Sequence, residues 1–340
     1  MNEVKVAMLG FGGIAKSHKH AYEQLEAAGE PIRLVAICDV DETRFTSGTA
    51  TNLGVEKAAN LEGIHTYTDV DEMLRNEEID MVDICIPSYL HKEYAVKMMK
   101  AGKDVLSEKP MALTSADCEE MLQTARACGR RLMIGQCLRF EPSYLYLKQC
   151  IDGGCFGRLK NLFMERLSVH PMWGFEKWYT KTEKSGGCIL DLHVHDIDMA
   201  RFLLGEPDAV STVSYDDITR WQVVNTRLFY KDVTVIATAS WDEAPTVKFS
   251  AGFRARFEQA SVVLGHEGLT VYPNQGAPYH PDIPRANRMA EEIRKLASMV
   301  RDREQINESN PPESACQTVR LIERLRESAD QGGKRIEIHA

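Results

Sequence analysis

The segment from residue 4 to residue 39 constrains the fold of this chain more than any other. An apolar run at 4–9 leads into Gly10-Phe11-Gly12-Gly13-Ile14-Ala15, and a second apolar run at 32–38 ends at Asp39. This order fits the pattern G-x-G-x-x-A between a strand and a helix. Glycines at the first and third positions permit a tight turn and the close approach of a pyrophosphate to the backbone. The segment predicts a dinucleotide site whose contacts include Gly10, Phe11, Gly12, Gly13 and Ile14.

The acidic residue at the end of the second strand bears on which dinucleotide binds. The Asp39 carboxylate can accept hydrogen bonds from a ribose 2′-OH and would repel a 2′-phosphate, so we expect NAD in preference to NADP. Arg44, five residues later, is the one nearby group that could accommodate a 2′-phosphate.

The periodicity changes along the chain. The first 135 residues alternate strands and helices, which predicts an α/β fold with a doubly wound parallel sheet, the Rossmann arrangement. Beyond that, polar and apolar residues alternate with period two, which is typical of antiparallel strands with one covered face. We expect an NAD-binding domain at 1–135 and a substrate-binding and oligomerisation domain at 136–340. In the second domain we predict strands at 159–169, 208–215, 221–230, 233–239, 246–253 and 261–264, helices at 144–150, 190–204, 285–301 and 313–329, and a loop at 272–284.

Composition excludes several classes of partner. The net charge of −9 argues against sequence-independent nucleic-acid binding, which needs a basic surface. No apolar run approaches the ~18 residues of a membrane-spanning helix, and a first strand at residue 4 leaves no room for a signal peptide. Nine cysteines without C-x-x-C spacing predict reduced thiols and a cytoplasmic protein.

Glu108-Lys109-Pro110 follows a predicted parallel strand, at the edge where open α/β sheets bind ligands. A lysine held there could polarise a carbonyl or hydrogen-bond a substrate hydroxyl. The proline restricts the backbone of Lys109, and a cis bond is compatible with it. The alternative is a solvated turn at the end of a strand.

The segment 186–198 holds a second set of chemically capable residues. In a helix, Asp191 and His195 would share a face, and a carboxylate beside an imidazole suits a general base. In a strand, His193 and His195 would share a face and could hold a metal, but the apolar spacing favours a helix, so no metal is expected. A capped helix with surface His and Asp residues is the third interpretation.

Three further groups are candidates for contacts with ligands. Pro87, Ser88 and His91 follow another strand end and should line the cofactor cleft. Arg139 lies where the chain leaves the first domain. The aromatic segment with Trp173, Trp178 and Tyr179 could form a wall against a sugar, or it could be a packed loop.

These motifs, in this order and spacing, resemble the glucose-fructose oxidoreductase / inositol dehydrogenase (Gfo/Idh/MocA) family. The resemblance implies an N-terminal Rossmann domain and a C-terminal α/β domain with an open, mainly antiparallel sheet. It implies that Lys109, Asp191 and His195 form the catalytic group and that Glu108 and Lys109 contact the cofactor. His193 is a departure, since many members have a small residue there, and the change would alter the substrate pocket.

The expected activity is NAD-dependent hydride transfer to or from a secondary alcohol of a sugar, inositol or related cyclic polyol, with Lys109 and His195 acting on the same hydroxyl. An NAD-dependent glycoside hydrolase of the same family, a non-catalytic NAD-responsive regulator and a methyltransferase are alternatives. An open sheet with apolar residues on its outer face needs covering, which predicts a homodimer or homotetramer.

Overall fold

A computed structural model of the protein describes residues 3–51, 54–303 and 307–338. The chain divides into two compact units. The first comprises Met1–Cys137, Trp173–Glu176 and Asn287–Gln317, and the second comprises Leu138–Met172, Lys177–Ala286 and Thr318–Ala340. A late segment of the chain therefore belongs to the first unit, although the predicted division assigns it to the second domain. The reason is apolar packing, since Ile293 and Leu296 are buried in the core of the first unit.

The described residues form sixteen strands, which are β1 (Val4–Leu9), β2 (Ile32–Cys38), β3 (Thr49–Thr51), β4 (Gly54–Glu56), β5 (His65–Tyr67), β6 (Met81–Ile84), β7 (Asp104–Glu108), β8 (Leu132–Gly135), β9 (Leu159–Leu167), β10 (Ala209–Tyr215), β11 (Val223–Phe229), β12 (Thr234–Ser240), β13 (Ser250–Phe257), β14 (Ala260–Gly265), β15 (Gly268–Pro273) and β16 (Ile336–Glu337). The same residues form ten α-helices, which are α1 (Gly13–Ala27), α2 (Val70–Asn76), α3 (His91–Lys100), α4 (Ser115–Cys128), α5 (Pro142–Asp152), α6 (Thr182–Ser185), α7 (Cys188–Asp191), α8 (Val194–Leu204), α9 (Arg288–Arg301) and α10 (Pro312–Asp330).

The sheet of the first unit has six strands in the order β5-β2-β1-β6-β7-β8, and every neighbouring pair is parallel. Its register aligns the strand ends, because Leu9 lies opposite both Cys38 and Ile84. The segments that follow β1, β2, β6 and β7 therefore emerge at the same, carboxyl edge of the sheet. The predicted Rossmann arrangement is confirmed, and its carboxyl edge is where such folds bind ligands.

The sheet of the second unit has eight strands in the order β15-β14-β13-β9-β12-β11-β10-β16. All pairs are antiparallel except β9 with β12. Along β9, Leu162 and Met164 are buried whereas Phe163 and Glu165 are partly exposed. Helices α7 and α8 pack against the central strands. One face of a mainly antiparallel sheet is thus covered, as predicted.

Three predicted elements of the second domain differ from the structure. The helix predicted at 190–204 is divided into α7 and α8 by a turn at Leu192 and His193. The strand predicted at 246–253 begins later, at Ser250, because residues 244–248 are exposed. It also ends later, because the alternation of buried residues continues to Phe257. The loop predicted at 272–284 overlaps β15, whose pairing with β14 was not visible in the local sequence.

Two findings concern the chain as a whole. Within the described residues, no helix combines the length and the apolar character needed to cross a lipid bilayer. No disulfide joins any of the nine cysteines, all of which lie in the described part of the chain.

Candidate active site

The turn after β1 has a backbone that a ligand could approach closely. Gly10 has φ +83°, and a Cβ there would lie 2.6 Å from the carbonyl oxygen of Cys85, so the fold itself requires this glycine. Gly12 is different, because a Cβ there would have no protein atom within 4 Å and its φ of −80° is ordinary. The protein leaves this space open at the start of α1, which no side chain caps among the described residues. Such a helix start suits a pyrophosphate.

Asp39 is fixed by the glycine-rich turn. Its Oδ2 accepts a hydrogen bond from the backbone N–H of Phe11 at 2.6 Å, and its Oδ1 accepts one from the N–H of Asp41 at 2.9 Å. The Phe11 ring is fully buried, so this residue contributes backbone rather than a polar side chain. Ile14 is partly buried and packs against the same core.

The arginine near this carboxylate is committed to another partner. Arg44 Nε lies 3.3 Å from Oδ2 of Asp41. The ion pair reduces the charge that Arg44 could offer to a 2′-phosphate, which favours NAD.

The segment after β6 places Pro87 and Ser88 at the carboxyl edge, and Ser88 is buried. His91 is also buried, and its two ring nitrogens lie 2.8 Å from the carbonyl oxygen of Pro110 and 2.9 Å from that of Ile86. Burial lowers the pKa of His91, although both carbonyls oppose this effect. The ring joins the segments that follow β6 and β7, which favours a positioning role over the cofactor contact that we predict.

Glu108 is the last residue of β7, and the Lys109–Pro110 peptide bond is cis. The Glu108 carboxylate is buried, and its Oε2 accepts a hydrogen bond from the backbone N–H of Lys109 at 3.0 Å. Its Oε1 lies 2.9 Å from Nε2 of His18, a residue of α1. Burial raises the pKa of Glu108, but His18 and Lys109 outweigh it and the pKa is below its usual value. Lys109 itself is half-buried.

In the second unit, two glycines precede the predicted base. Gly186 and Gly187 both have positive φ, and a Cβ on Gly187 would lie 2.4 Å from the carbonyl oxygen of Arg220. The tight turn starts α7, which ends at Asp191, and α8 begins three residues later. Asp191 and His195 therefore lie on two consecutive helices and not on one continuous helical face, which corrects the predicted spacing argument.

The two histidines of this segment have opposite environments. His193 is fully buried, and its Nε2 lies 3.0 Å from the hydroxyl oxygen of Thr226 on β11. Burial and then Arg166 lower the pKa of His193 to about 3, so its ring is neutral. The structure describes all of residues 191–200. His195 is partly exposed, and the other residues of this segment are buried. The burial of His193 and its contact with Thr226 do not support a metal site shared with His195 or a substrate contact by His193.

Arg139 forms an internal ion pair in the second unit. Its Nε and one terminal nitrogen each lie 2.8 Å from an oxygen of Asp198 on α8, and both side chains are buried. Thr318 donates a further hydrogen bond to Asp198 at 2.8 Å. This bidentate pairing favours a structural role for Arg139 over contact with substrate.

The aromatic segment is divided between the units, with Trp173 in the first and Trp178 and Tyr179 in the second. The rings of Trp178 and Tyr179 stack with centroids 3.8 Å apart, and Tyr179 meets Trp241 edge-on at 5.9 Å. Trp178 is buried and Tyr179 is partly exposed. Tyr179 is thus better placed than Trp178 to meet a ligand.

Sequence reasoning missed His18 and Asp83, which lie in the interior beside Glu108. Two signals could have identified them. His18 stands on the buried side of α1 with Ala15 and Tyr22, and Asp83 is a charged residue in the middle of an otherwise apolar strand. Buried charges need partners, so both residues predict an internal ion pair.

Relatives of the chain share this architecture. Residues 4–136 match the model of the oxidoreductase family with an NAD-binding Rossmann fold, and residues 144–271 match the model of the GFO/IDH/MocA C-terminal domain. The chain is 32% identical to inositol 2-dehydrogenase 2 of Saccharopolyspora erythraea over 62% of its own length and 56% of that protein's. It is 28% identical to inositol 2-dehydrogenase of Rhizobium meliloti over 80% of its own length and 76% of that protein's. The chain thus spans little more than half of the first of these relatives.

Among solved structures, levoglucosan dehydrogenase in complex with NADH and levoglucosan superimposes with a TM-score of 0.83, covering 100% of both chains at 19% identity. At that identity the likeness establishes the fold. Both domain models match in sequence order, and the glycine turn and the acid after β2 stand where an NAD-binding Rossmann domain requires them. The chain therefore belongs to the Gfo/Idh/MocA family of oxidoreductases.

Proposed function

We propose that this protein is an NAD-dependent oxidoreductase that transfers a hydride between a secondary alcohol of a sugar, inositol or related cyclic polyol and NAD. One observation carries the proposal. Lys109 follows β7 at the same sheet edge as the Gly10 turn and Asp39, with only β6 between β1 and β7. A cationic side chain is thereby held at the ligand-binding edge of an NAD-binding fold.

The residues at this edge suit NAD. Gly12 and Gly13 would face the pyrophosphate, Asp39 the ribose hydroxyls, and Pro87 and Ser88 the adjoining part of the cofactor. Bound NAD would supply the hydride acceptor at its nicotinamide ring. NADP is disfavoured because Asp39 would repel its extra phosphate and Arg44 is paired with Asp41.

The catalytic roles follow from charge and proton transfer. Lys109 would hydrogen-bond the substrate oxygen and stabilise the negative charge that develops there as the hydride leaves carbon. His195 would accept the hydroxyl proton, and Asp191 would stabilise the resulting imidazolium. Tyr179 is the aromatic side chain that we assign to the substrate.

The substrate class is inferred from relatives whose names specify cyclic polyols and sugars, namely the inositol 2-dehydrogenases and levoglucosan dehydrogenase. We further propose a cytoplasmic enzyme, in keeping with nine cysteines that form no disulfide in the described chain. The partly exposed sheet face that includes Phe163 would be covered in a homodimer or homotetramer.

The test is a screen of cyclic polyols and sugars for NADH formation. We expect NADH with at least one compound in the panel. Lys109→Ala and His195→Ala should each lower kcat by ~10²-fold or more while leaving NAD affinity nearly unchanged. Lys100→Ala and His266→Ala, at exposed positions, are matched controls that should keep full turnover. Release of sugar without net NADH would instead indicate the glycoside hydrolase, and full activity of both site variants would refute the assignment.

A further inference from the structure

A charged group lies in the interior of the first unit, behind the Lys109 segment. His18 is fully buried on α1, with Nδ1 2.9 Å from Oδ2 of Asp83 and Nε2 2.9 Å from Oε1 of Glu108. The hydroxyl of Tyr22 donates to the same oxygen of Asp83 at 3.0 Å. The imidazole thus bridges carboxylates from two neighbouring strands, β6 and β7.

Both ring nitrogens face a carboxylate oxygen, and only an imidazolium has two N–H donors for them. Burial disfavours that charge, but Asp83 outweighs it and holds the pKa of His18 well above its usual value. Glu292 of α9, which is buried nearby, has a raised pKa because of burial and the Glu108 carboxylate. The group therefore places the imidazolium between two carboxylates, beside a carboxyl whose pKa is raised.

The His18 cation restrains Glu108, and Glu108 restrains Lys109. The second carboxylate oxygen of Glu108 accepts the backbone N–H of Lys109 at 3.0 Å. Gly135 of β8 completes the enclosure, because a Cβ there would lie 3.3 Å from both Cα and Cδ of Glu108. Each oxygen of Glu108 thus has a defined partner, and the carboxylate fixes the residue that carries the ammonium group.

We propose that His18 is a positioning residue that acts through Glu108 to hold Lys109 in its reactive place. The inference rests on the proposed function, since it requires Lys109 to act on the substrate. His18, Asp83 and Cys85 also offer three potential metal-ligand atoms within 4.8 Å of one another. The hydrogen bonds from both ring nitrogens to carboxylates favour an internal ion pair over a metal site.

The test is a double-mutant cycle on kcat in the full-length protein. His18→Gln removes the cation, and we expect kcat to fall by roughly 10- to 100-fold, as a displaced catalytic group requires, with KM for NAD within about twofold of the original. In the Lys109→Ala background the same change should have little further effect, because both changes remove one function. His20→Gln, an exposed neighbour on α1, is the matched control and should change neither quantity.

A second variant tests whether Glu108 positions Lys109 without removing any charged group. Gly135→Ala should displace the Glu108 carboxylate, lower kcat and again be non-additive with Lys109→Ala, which keeps the test valid if His18→Gln does not fold. Additive losses, or an unchanged kcat in a folded variant, would overturn the positioning role while leaving the proposed function intact. Full turnover of Lys109→Ala alone would refute the action of Lys109 on the substrate, and failure of every compound in the screen to yield NADH would refute the proposed function.

Discussion

The carboxylate of Asp39 accepts a hydrogen bond from the backbone N–H of Phe11, with 2.6 Å between N and Oδ2. The acid to which we assign cofactor selection is thus attached to the turn that we expect to face the phosphates. We propose that the turn after β1 and the end of β2 act as one recognition element in the first unit.

This relationship predicts a difference between two substitutions. Asp39→Asn keeps an acceptor for the Phe11 N–H and removes the negative charge, so NADP affinity should rise. Asp39→Ala also removes the acceptor, so NAD affinity should fall further than in Asp39→Asn. Titrations with both dinucleotides measure this, with Arg44→Ala as the control that should leave NADP binding unchanged. Equal affinity of the original protein for NAD and NADP would refute the role of Asp39.

The Arg139–Asp198 pair predicts a large effect on folding. Arg139→Met leaves a buried carboxylate without its cation, which should cost about 3–5 kcal/mol in the free energy of unfolding. Urea denaturation measures the loss. Arg158→Met, which breaks an exposed ion pair with Glu258, should cost far less, because solvent screens that pair.

The double variant Arg139→Met/Asp198→Leu should recover part of this stability, because no unpaired charge is left. Turnover should recover with it. Restored stability without restored kcat/KM would show that Arg139 contacts the substrate after all.

Glu292 predicts an unusual dependence of stability on pH. Both carboxyl oxygens are buried without a hydrogen-bond partner among the described residues, and burial followed by Glu108 raises the pKa well above its usual value. The folded state keeps this proton when the unfolded state has lost it, so stability falls as pH rises above about 4.3. Glu292→Gln cannot ionise and should gain stability over the original protein across that range, by up to about 1.4 kcal/mol per pH unit.

Chemical denaturation at a series of pH values checks this prediction. Glu291→Gln, at the adjacent and more exposed position, is the control and should keep the original pH dependence. If the unfolding free energies of Glu292→Gln and of the original protein changed with pH in parallel, Glu292 would be ionised in the folded protein.

His193 predicts the opposite trend at acid pH. Its pKa is lowered to about 3, chiefly by burial, against about 6.5 in an unfolded chain. The unfolded state therefore binds the proton first, and stability is lost as pH falls below about 6.5. His193→Leu removes this acid sensitivity, because leucine does not titrate.

The loss of the Thr226 contact should cost His193→Leu some stability at neutral pH. The informative quantity is therefore the slope of the unfolding free energy against pH, between about pH 6 and about pH 4. The slope should be smaller than in the original protein. His266→Leu, at an exposed position, should leave it unchanged. An unchanged slope in His193→Leu would show that His193 is not held neutral.

What the sequence could predict was local. The Gly10 turn, the parallel strands and the end of β2 at Asp39 depend on short-range periodicity and spacing, and all are confirmed. The break between α7 and α8 could not be predicted in this way, because it accompanies the burial of His193 against Thr226, a residue 33 positions away. The contacts of His18 with Asp83 and Glu108 span 65 and 90 positions, which spacing does not show.

The same distinction applies to the candidate site. Arg139 had the residue type of a ligand contact, and only the fold reveals its pairing with Asp198. The motifs of the sequence point to Lys109 and His195, and the structure adds a restrained backbone at Lys109 and a partly exposed position for His195.

The most direct test of the central claim is isotope transfer. A cyclic polyol or sugar from the screen that reduces NAD is prepared with deuterium on its carbinol carbon, and the product NADH is examined by mass spectrometry. We predict NADH that carries one deuterium, formed by the original protein and the His266→Ala control and reduced ~10²-fold or more in rate in Lys109→Ala and His195→Ala. NADH without deuterium, or equal rates of transfer in all four proteins, would contradict the assignment of this chain as a hydride-transferring dehydrogenase that uses these residues.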